Sequence, residues 1–275
     1  APVRTRLAPR PGFIGTSALA SAVGVVVAAF FNNLGLAIAG VIGGRDPILY
    51  HNEVVYQSPG SDVALAGGLI ACLVVGAFFL VLYPGSTRYD AARITTLWLV
   101  LHCFCQGFVQ LALIPVSGSS NAALAYAALE LPAGFDLVVA MAGVVGLLSV
   151  ALASAPAFLA YSHRQAAIST PGSRAVFTSK LALVPGVAGP LLAVPFFLPD
   201  NGTGFIQTLP LLGLFTAATV LAAIGTRNVR VPSGGEAQGF SWLPLAWLVF
   251  LLLLFQFVLG RGVHIPPSLD TPFVE

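Results

Sequence analysis

The sequence predicts a polytopic bundle of transmembrane α-helices, an all-α fold, and three observations support this. The chain has 275 residues, of which 57% are hydrophobic and only 8% charged. Soluble domains carry about 25% charged residues, and so few polar groups could not cover this much apolar surface in water. The apolar residues form continuous runs long enough to cross a bilayer, which takes about 20 helical residues. Because an unpaired backbone amide in lipid costs several kcal/mol, these runs are predicted as helices.

Seven apolar runs reach the length of a membrane span. They lie at residues 14–43, 63–83, 94–115, 136–161, 176–198, 205–225 and 241–260. The whole chain, residues 1–275, is therefore predicted as a single transmembrane domain of about seven spans. No signal-peptide cleavage pattern follows the first run at a suitable distance, so this run is predicted as a retained span. A short interfacial helix is predicted at 121–130.

Basic residues are distributed unequally between the two sides of the predicted bundle. Ten of the twelve Arg and Lys residues lie before span 1 or between spans 2 and 3, 4 and 5 (counting Lys180 at the start of span 5), and 6 and 7, whereas Arg45 and Arg261 lie on the other side. Positively charged loops stay in the cytoplasm, which predicts a cytoplasmic N-terminus and an external C-terminus. The preference for Arg over Lys and the high Ala, Gly and Val content indicate a high-GC bacterium, and hence the cytoplasmic (inner) membrane.

No Asp, Glu, Lys or Arg lies near the middle of any predicted span. Asp136, Lys180 and Arg93 lie at span ends, where their charges can reach the interface. Proton relays, voltage sensors and ion-coupled transporters need ionisable groups in the membrane interior, so these classes are disfavoured. A net charge of +2 gives no indication of nucleic-acid binding. The three cysteines all lie in apolar runs, which does not suggest a disulfide framework.

Span 3 carries a polar stripe. His102, Gln106 and Gln110 are spaced four residues apart, so they share one helical face and are expected to face the bundle. One interpretation is hydrogen bonding between helices. The other is a ligand site in which His102 holds a haem, a chlorophyll or a metal, although one His with two Gln is a poor zinc set. The remaining histidines are predicted as solvated or interfacial loop residues: His51, His163 and His264.

Span 5 contains three prolines and two glycines within Leu183–Pro195. Pro185, Gly186, Gly189 and Pro190 are expected to kink or unwind the helix. A broken helix can mark a transport site near the bilayer midplane, and it can also let a helix pack around its neighbours. The segment is thus a candidate site for a small neutral or lipidic solute.

The end of span 1 reads Asn-Asn-Leu-Gly-Leu-Ala from Asn32. It resembles the first motif of the site-2-type zinc metalloproteases, in which a membrane helix carries His-Glu-x-x-His, commonly as His-Glu-Leu-Gly-His-Ala. Two His ligands one turn apart and a Glu general base carry the chemistry of such a motif. The three chemical positions fall on Asn32, Asn33 and Leu36. The scaffold positions are matched by Leu34, Gly35 and Ala37.

Two further segments are similar to the same family, so the resemblance covers about residues 25–135. Leu65–Leu69 is similar to the family's Leu-Ala-Gly-Pro-Leu helix start, and residues 113–132 resemble its later Pro-containing loop. That loop supplies an Asp as third zinc ligand in the family, whereas Ser120 and Asn121 occupy the region here. Asn and Leu cannot replace imidazoles on zinc, and Asn cannot act as a base. The resemblance therefore implies a non-catalytic relative, a pseudoprotease.

Together these observations favour a non-catalytic integral membrane protein that acts as an accessory or scaffold subunit of a larger membrane complex. Its expected partners are membrane lipids and other membrane protein subunits, not nucleic acid. Two alternatives stay open: a transporter or channel that uses the broken span 5, and haem or pigment binding through His102. An enzyme is not predicted, because the protease-like motif lacks its zinc ligands and base. No metal is predicted, and no cofactor other than a haem or pigment at His102.

Overall fold

The computed structural model describes residues 9–83, 90–162, 165–198, 202–227, 229 and 239–265, with the backbone alone at 202–211. Helices form most of it. In chain order they are α1 (Pro11–Ile42), α2 (Gly67–Leu82), α3 (Ala91–Ala112), α4 (Asn121–Ala127), α5 (Phe135–Leu159), α6 (Pro171–Thr178), α7 (Val184–Leu192), α8 (Val194–Phe197), α9 (Gly202–Gly225) and α10 (Leu243–Val258).

Five helical segments in the described part of the chain are long and apolar enough to cross a membrane. Two further apolar stretches, Leu212–Gly225 and Leu243–Val258, are shorter. All seven coincide with the predicted runs to within a few residues at most ends. The structure is therefore compatible with the predicted helical membrane bundle, and a short helix, α4, occupies most of the segment 121–130 that was predicted as an interfacial helix.

The fifth apolar helix departs from its predicted bounds of 176–198. It begins at Pro171, because Thr170 caps α6: its hydroxyl accepts a hydrogen bond from the Ser173 amide (3.1 Å), and the Ser173 hydroxyl reaches back to the Thr170 amide (3.1 Å). Proline at the first helical position and this reciprocal cap both favour a helix start. Lys180, predicted at the end of a span, therefore lies well inside the helix and on an exposed face.

The predicted disruption of this helix takes an unexpected form. Pro185 and Pro190 lie inside the regular helix α7, and the irregular backbone flanks them. A π-helical turn, Ser179–Leu183, joins α6 to α7, and Ala193 separates α7 from α8. A proline cannot donate to the preceding turn, and a π-turn is one way in which a helix accommodates such a break.

A small antiparallel β-sheet is the feature that the all-α prediction missed. Its strands are β1 (Pro47–Leu49), β2 (Val54–Tyr56) and β3 (Val263–His264), in the order β2-β1-β3. β1 and β2 form a tight hairpin after α1, and β3 follows α10 and pairs with β1. We call the end of the bundle that carries this sheet the sheet end.

Helix α1 is central, packing against α2, α3, α7 and α10, while α3 also packs against α2 and α5. The core between these helices includes Trp98, Phe158 and Leu159, which are fully or almost fully buried. Large apolar side chains on α2 and α5 face outward, for example Phe78 and Met141. Such a surface suits lipid, where apolar groups need no cover.

Arg174, predicted as a loop residue, is instead a buried residue of α6. Its guanidinium donates to the carbonyls of Ala223 (3.1 Å), Ile224 (2.9 Å) and Ile168 (3.2 Å). The first two carbonyls belong to the last turn of α9, which lacks intrahelical donors. Arg174 therefore caps α9 and ties the end of that helix to the start of α6.

Candidate functional site

The interface between α1 and α3 contains the main polar side chains of the bundle interior. The two helices run parallel, and three side-chain hydrogen bonds join them in order along the axis. They are Ser17–Trp98, Ser21–His102 and Asn32–Gln110. The predicted polar stripe on span 3 thus faces the bundle, and both of its ends, His102 and Gln110, contact α1.

The first pair of contacts forms a closed group that we call the serine–histidine cluster: Ser17, Ser21, Trp98 and His102. Ser21 Oγ lies 2.9 Å from His102 Nε2, and Trp98 Nε1 donates to Ser17 Oγ at 2.9 Å. The Ser17 hydroxyl donates onward to the carbonyl of Leu181 in the π-helical turn (2.8 Å). The Trp98 and His102 rings stack with centroids 5.4 Å apart. All four side chains are buried, so the cluster cross-links three helices away from solvent.

The Pro/Gly segment of α7 packs directly on this cluster, which links two sites that the sequence presented separately. A Cβ on Gly189 would meet the Ser21 hydroxyl, and a Cβ on Gly186 would meet Thr216 and lie 3.3 Å from the Trp98 ring. On the other side, a Cβ on Gly24 would lie 2.7 Å from His102 Cδ2. Pro185 and Pro190 are buried beside the glycines. The small residues therefore allow the close helix approach that encloses the cluster.

A serine and a histidine at 2.9 Å have the spacing of a nucleophile and its base. Here, however, Ser21 is fully buried and Gly189 lies against its hydroxyl, so no reacting carbonyl has room to approach. The same packing and the occupied Nε2 favour the interhelical interpretation of His102. Haem or pigment binding there, and solute transport through the Pro/Gly segment, stay predictions.

The third contact belongs to a chain of amides at the sheet end. Gln110 Nε2 donates to the Gln106 carbonyl (3.2 Å) and to Asn32 Oδ1 (2.9 Å). Asn32 Nδ2 in turn donates to Asn33 Oδ1 at 3.4 Å. Gln106, the middle residue of the stripe, contributes its backbone carbonyl to this chain. The amide chain therefore joins the polar stripe to two of the three protease-like positions.

The amide chain ends at a cleft of about 330 Å³, the amide cleft, bounded by the end of α1, strand β2, the 3₁₀ turn Asp62–Ala66 and α4. Its lining residues are Asn32, Asn33, Leu36, Arg45, Glu53, Val54, Tyr56, Leu65, Asn121 and Leu124. All three protease-like positions thus open onto one cleft, and Asn121 joins them from the region where the family has its third ligand. Among the described residues, no group of three His, Cys, Asp or Glu is arranged to hold a metal.

Arg45 and Tyr56 form the wall of the cleft on the side of the sheet. The Arg45 guanidinium pairs with the Asp62 carboxylate, donates to the carbonyls of Gly60 and Ser61, and lies 4.8 Å from the centre of the Tyr56 ring. The Tyr56 hydroxyl donates to the Leu36 carbonyl at 2.9 Å. Burial raises the pKa of Tyr56, and the nearby Arg45 charge offsets part of that rise. Both side chains are thus held in place by several contacts.

The loop histidines have mixed outcomes. His51, predicted as solvated or interfacial, is buried: Nε2 lies 3.3 Å from the Leu198 carbonyl, and the ring packs edge-on against Phe196. This is because the hairpin tip docks on the end of α8. His264 lies half-exposed on β3 and pairs with Asp46 at 2.6 Å. His163 lies outside the described residues.

Sequence reasoning missed Ser17, Ser21, Trp98, Glu53 and Tyr56. A partial signal existed for the serines, because Ser17 and Ser21 are four residues apart and so share one face of α1. Nothing in the sequence pairs that face with His102, which lies 81 residues further along the chain.

Comparisons with models of known families, with curated proteins and with solved structures find no match. The resemblance to site-2-type proteases therefore stays a prediction.

Proposed function

We propose that this chain is a non-catalytic integral membrane protein and a subunit of a larger membrane assembly. In this proposal it has seven spans in the cytoplasmic membrane of a bacterium, with its N-terminus in the cytoplasm. The sheet end faces outward.

Contacts between helix ends support the seven-span arrangement. Strand β3 follows α10 and pairs with β1, which follows α1, so both helices end on the same side. At the opposite end, the Ser241 amide donates to Thr16 Oγ1 (2.8 Å), which brings the start of α10 beside the start of α1. An odd number of crossings must therefore lie between the two helices, which is consistent with the five spans between the first and the seventh.

One observation carries the non-catalytic part of the proposal. At the positions where the resembling proteases keep their zinc chemistry, Asn32 has both amide atoms engaged, one with Gln110 and one with Asn33. The carbonyl of Leu36 receives the Tyr56 hydroxyl. These groups hold α1, α3 and the sheet together, and that is a structural role.

The subunit role is supported by the polar side chains of the α1–α3 interface, which bond to one another and so serve helix packing. The outward apolar surface of α2 and α5 fits lipid and a partner helix equally. The test is the native size of the tagged protein, extracted from its own membranes in mild detergent. We expect a particle much larger than one or two 28.4 kDa chains, with companion proteins identifiable by mass spectrometry.

The control is the same preparation after transfer to a harsh detergent, which should reduce it to single chains. A particle of one or two chains already in mild detergent, with no companion protein, would remove the reason for the subunit role. A stand-alone transporter would then become the favoured function.

A further inference from the structure

We propose that the amide cleft binds a small ligand that carries a primary ammonium group next to an oxygen acceptor. This goes beyond the proposed function, because the site would bind its ligand whether or not the chain belongs to an assembly. The inference depends on the direction of the amide chain, on Glu53 and on the size of the cleft.

The direction of the amide chain is fixed at its backbone end, by the Gln106 carbonyl. The Gln106 carbonyl can only accept, so the Gln110 atom beside it must be the NH₂ group. The same Gln110 NH₂ group donates to Asn32, so the Asn32 atom that it meets must be Oδ1. The Asn32 NH₂ group therefore points toward Asn33 and donates to it. Asn33 accepts through Oδ1, and its NH₂ group remains as the last donor of the chain.

Asn33 is a buried side chain in the cleft lining, only 6% exposed. Its Nδ2 donates to no other group among the residues that the structure describes. This nitrogen is open to the cleft and is not sealed inside the protein, so its acceptor comes from outside the protein. An oxygen atom of a ligand in the cleft would supply it.

The carboxylate of Glu53 indicates that the ligand also carries a positive charge. It lines the cleft and is only partly exposed, and within the described parts of the chain no cation pairs with its side chain. Arg45, the cation in the same lining, is already engaged by Asp62 and two carbonyls. A half-buried carboxylate of this kind is stabilised by an incoming cation.

The residues that line the cleft indicate which kind of ammonium group the ligand carries. Quaternary ammonium groups are usually held by aromatic faces, but the aromatic side chain of this lining, Tyr56, already has Arg45 over its ring. A carboxylate instead favours N–H donors, so a primary ammonium fits best. A cleft of about 330 Å³ lies at the lower end of the range of ligand sites, and the apolar walls from Leu36, Val54 and Leu124 suit a short aliphatic linker.

Two sources share this chemistry: the headgroup of an aminophospholipid such as phosphatidylethanolamine, and a free amino alcohol such as ethanolamine. The experiment uses full-length protein in phosphatidylcholine nanodiscs and measures the melting temperature during titration with ethanolamine. Choline, which keeps the oxygen but lacks ammonium N–H groups, is the matched control. A second arm replaces part of the phosphatidylcholine with phosphatidylethanolamine and measures lipid retention by native mass spectrometry.

We expect ethanolamine, phosphatidylethanolamine or both to bind in preference to the choline counterpart. A response to the lipid alone identifies a headgroup site, and a response to free ethanolamine identifies a soluble ligand. Glu53→Gln should weaken binding about tenfold or more, because it removes a charge-assisted hydrogen bond. Glu130→Gln, an isosteric loss of charge outside the cleft lining, should leave binding unchanged.

Asn33→Leu is the second variant and should also weaken binding, which keeps the test valid if Glu53→Gln does not fold. Equal response to ethanolamine and choline, with no preference for phosphatidylethanolamine, would overturn the proposal. So would undiminished binding in a folded Glu53→Gln or Asn33→Leu variant. Native size does not enter this measurement, so a failure here and a failure of the subunit role are distinguishable.

Discussion

The serine–histidine cluster and the amide chain lie on the same α1–α3 interface, but they end differently. In the cluster, Trp98 donates to Ser17, and Ser17 donates to the Leu181 carbonyl, which only accepts. In the amide chain, a backbone carbonyl acceptor stands at one end, and the last amide, Asn33, lines a cleft at the other. The first arrangement is complete without a ligand, whereas the second leaves a donor for one.

The difference shows that the donor-to-acceptor direction of a hydrogen-bond chain, and not only its existence, indicates whether the chain leaves a group for a ligand. A chain whose last donor bonds to a backbone carbonyl stabilises the packing and has no unused donor left. The amide chain begins at a carbonyl and continues through side-chain amides, each of which has both a donor and an acceptor, so the NH₂ group of Asn33 remains unused at its other end. Both are built from the same kinds of uncharged side chain, so composition does not distinguish them.

The largest effect is expected from breaking the enclosure of the cluster. Gly189→Leu would place a side chain against the Ser21 hydroxyl, and overpacking of this kind costs about 3 kcal/mol or more. We expect a strongly lowered melting temperature in detergent and little monodisperse protein. Gly213→Leu is the matched control, because none of the atoms that the structure describes lies within 4 Å of a Cβ there. Wild-type stability of Gly189→Leu would show that the cluster is not tightly enclosed.

A smaller effect should separate the two ends of the polar stripe. His102→Leu leaves the buried Ser21 hydroxyl without its partner and is expected to cost about 1–3 kcal/mol. Gln110→Leu removes a bond at the edge of the cleft, where water can replace the lost partner of Asn32, and should cost about 0.5 kcal/mol. Gln106→Leu, which keeps the backbone carbonyl, is the control. The measurement is unfolding in a denaturing detergent, and a larger loss in Gln110→Leu than in His102→Leu would reverse the comparison.

The smallest effect concerns pH and the cleft wall. Burial raises the pKa of Tyr56 above its ordinary value of 10.0, so the folded state holds the phenolic proton more tightly than the unfolded state does. The stability from this group is therefore complete below pH 10 and is lost as the pH rises through the folded-state pKa. We expect the melting temperature of the wild type to fall more steeply at alkaline pH than that of Tyr56→Phe. Parallel pH profiles would contradict a half-buried, hydrogen-bonded Tyr56.

Whether the sequence predicted the start of α6 and the three strands depended on whether each has a signal in its own local sequence. Thr170 and Pro171 carry the cap of α6, but a search for apolar runs passes over them and starts the span too late. The hairpin of β1 and β2 has β-branched and aromatic residues around a two-residue turn, His51–Asn52, which is a readable strand pattern. Strand β3 has two residues and no such pattern, because it exists only through its pairing with β1.

The candidate site shows the same division. The spacing of His102, Gln106 and Gln110 predicted a shared face that turns toward the bundle, and the structure places both ends of it on α1. The sequence could not connect Gln110 with Asn32 or His102 with Ser21, since 78 and 81 residues separate the partners. It also presented Gly189 and His102 as independent candidates, although both belong to one packed cluster.

By itself the sequence determined that this chain is a bundle of apolar helices, where those helices lie, and which of their faces are polar. These properties depend on hydropathy and on the 3.6-residue period, both of which act between near neighbours in the chain. Only the tertiary structure decided which polar faces meet, which chain of hydrogen bonds closes and which ends in a cleft, and that Glu53 lines the same cleft as Asn33. The reason is that a hydrogen bond has a direction and a range of about 3 Å, so its partner is chosen by helix packing and not by position along the chain.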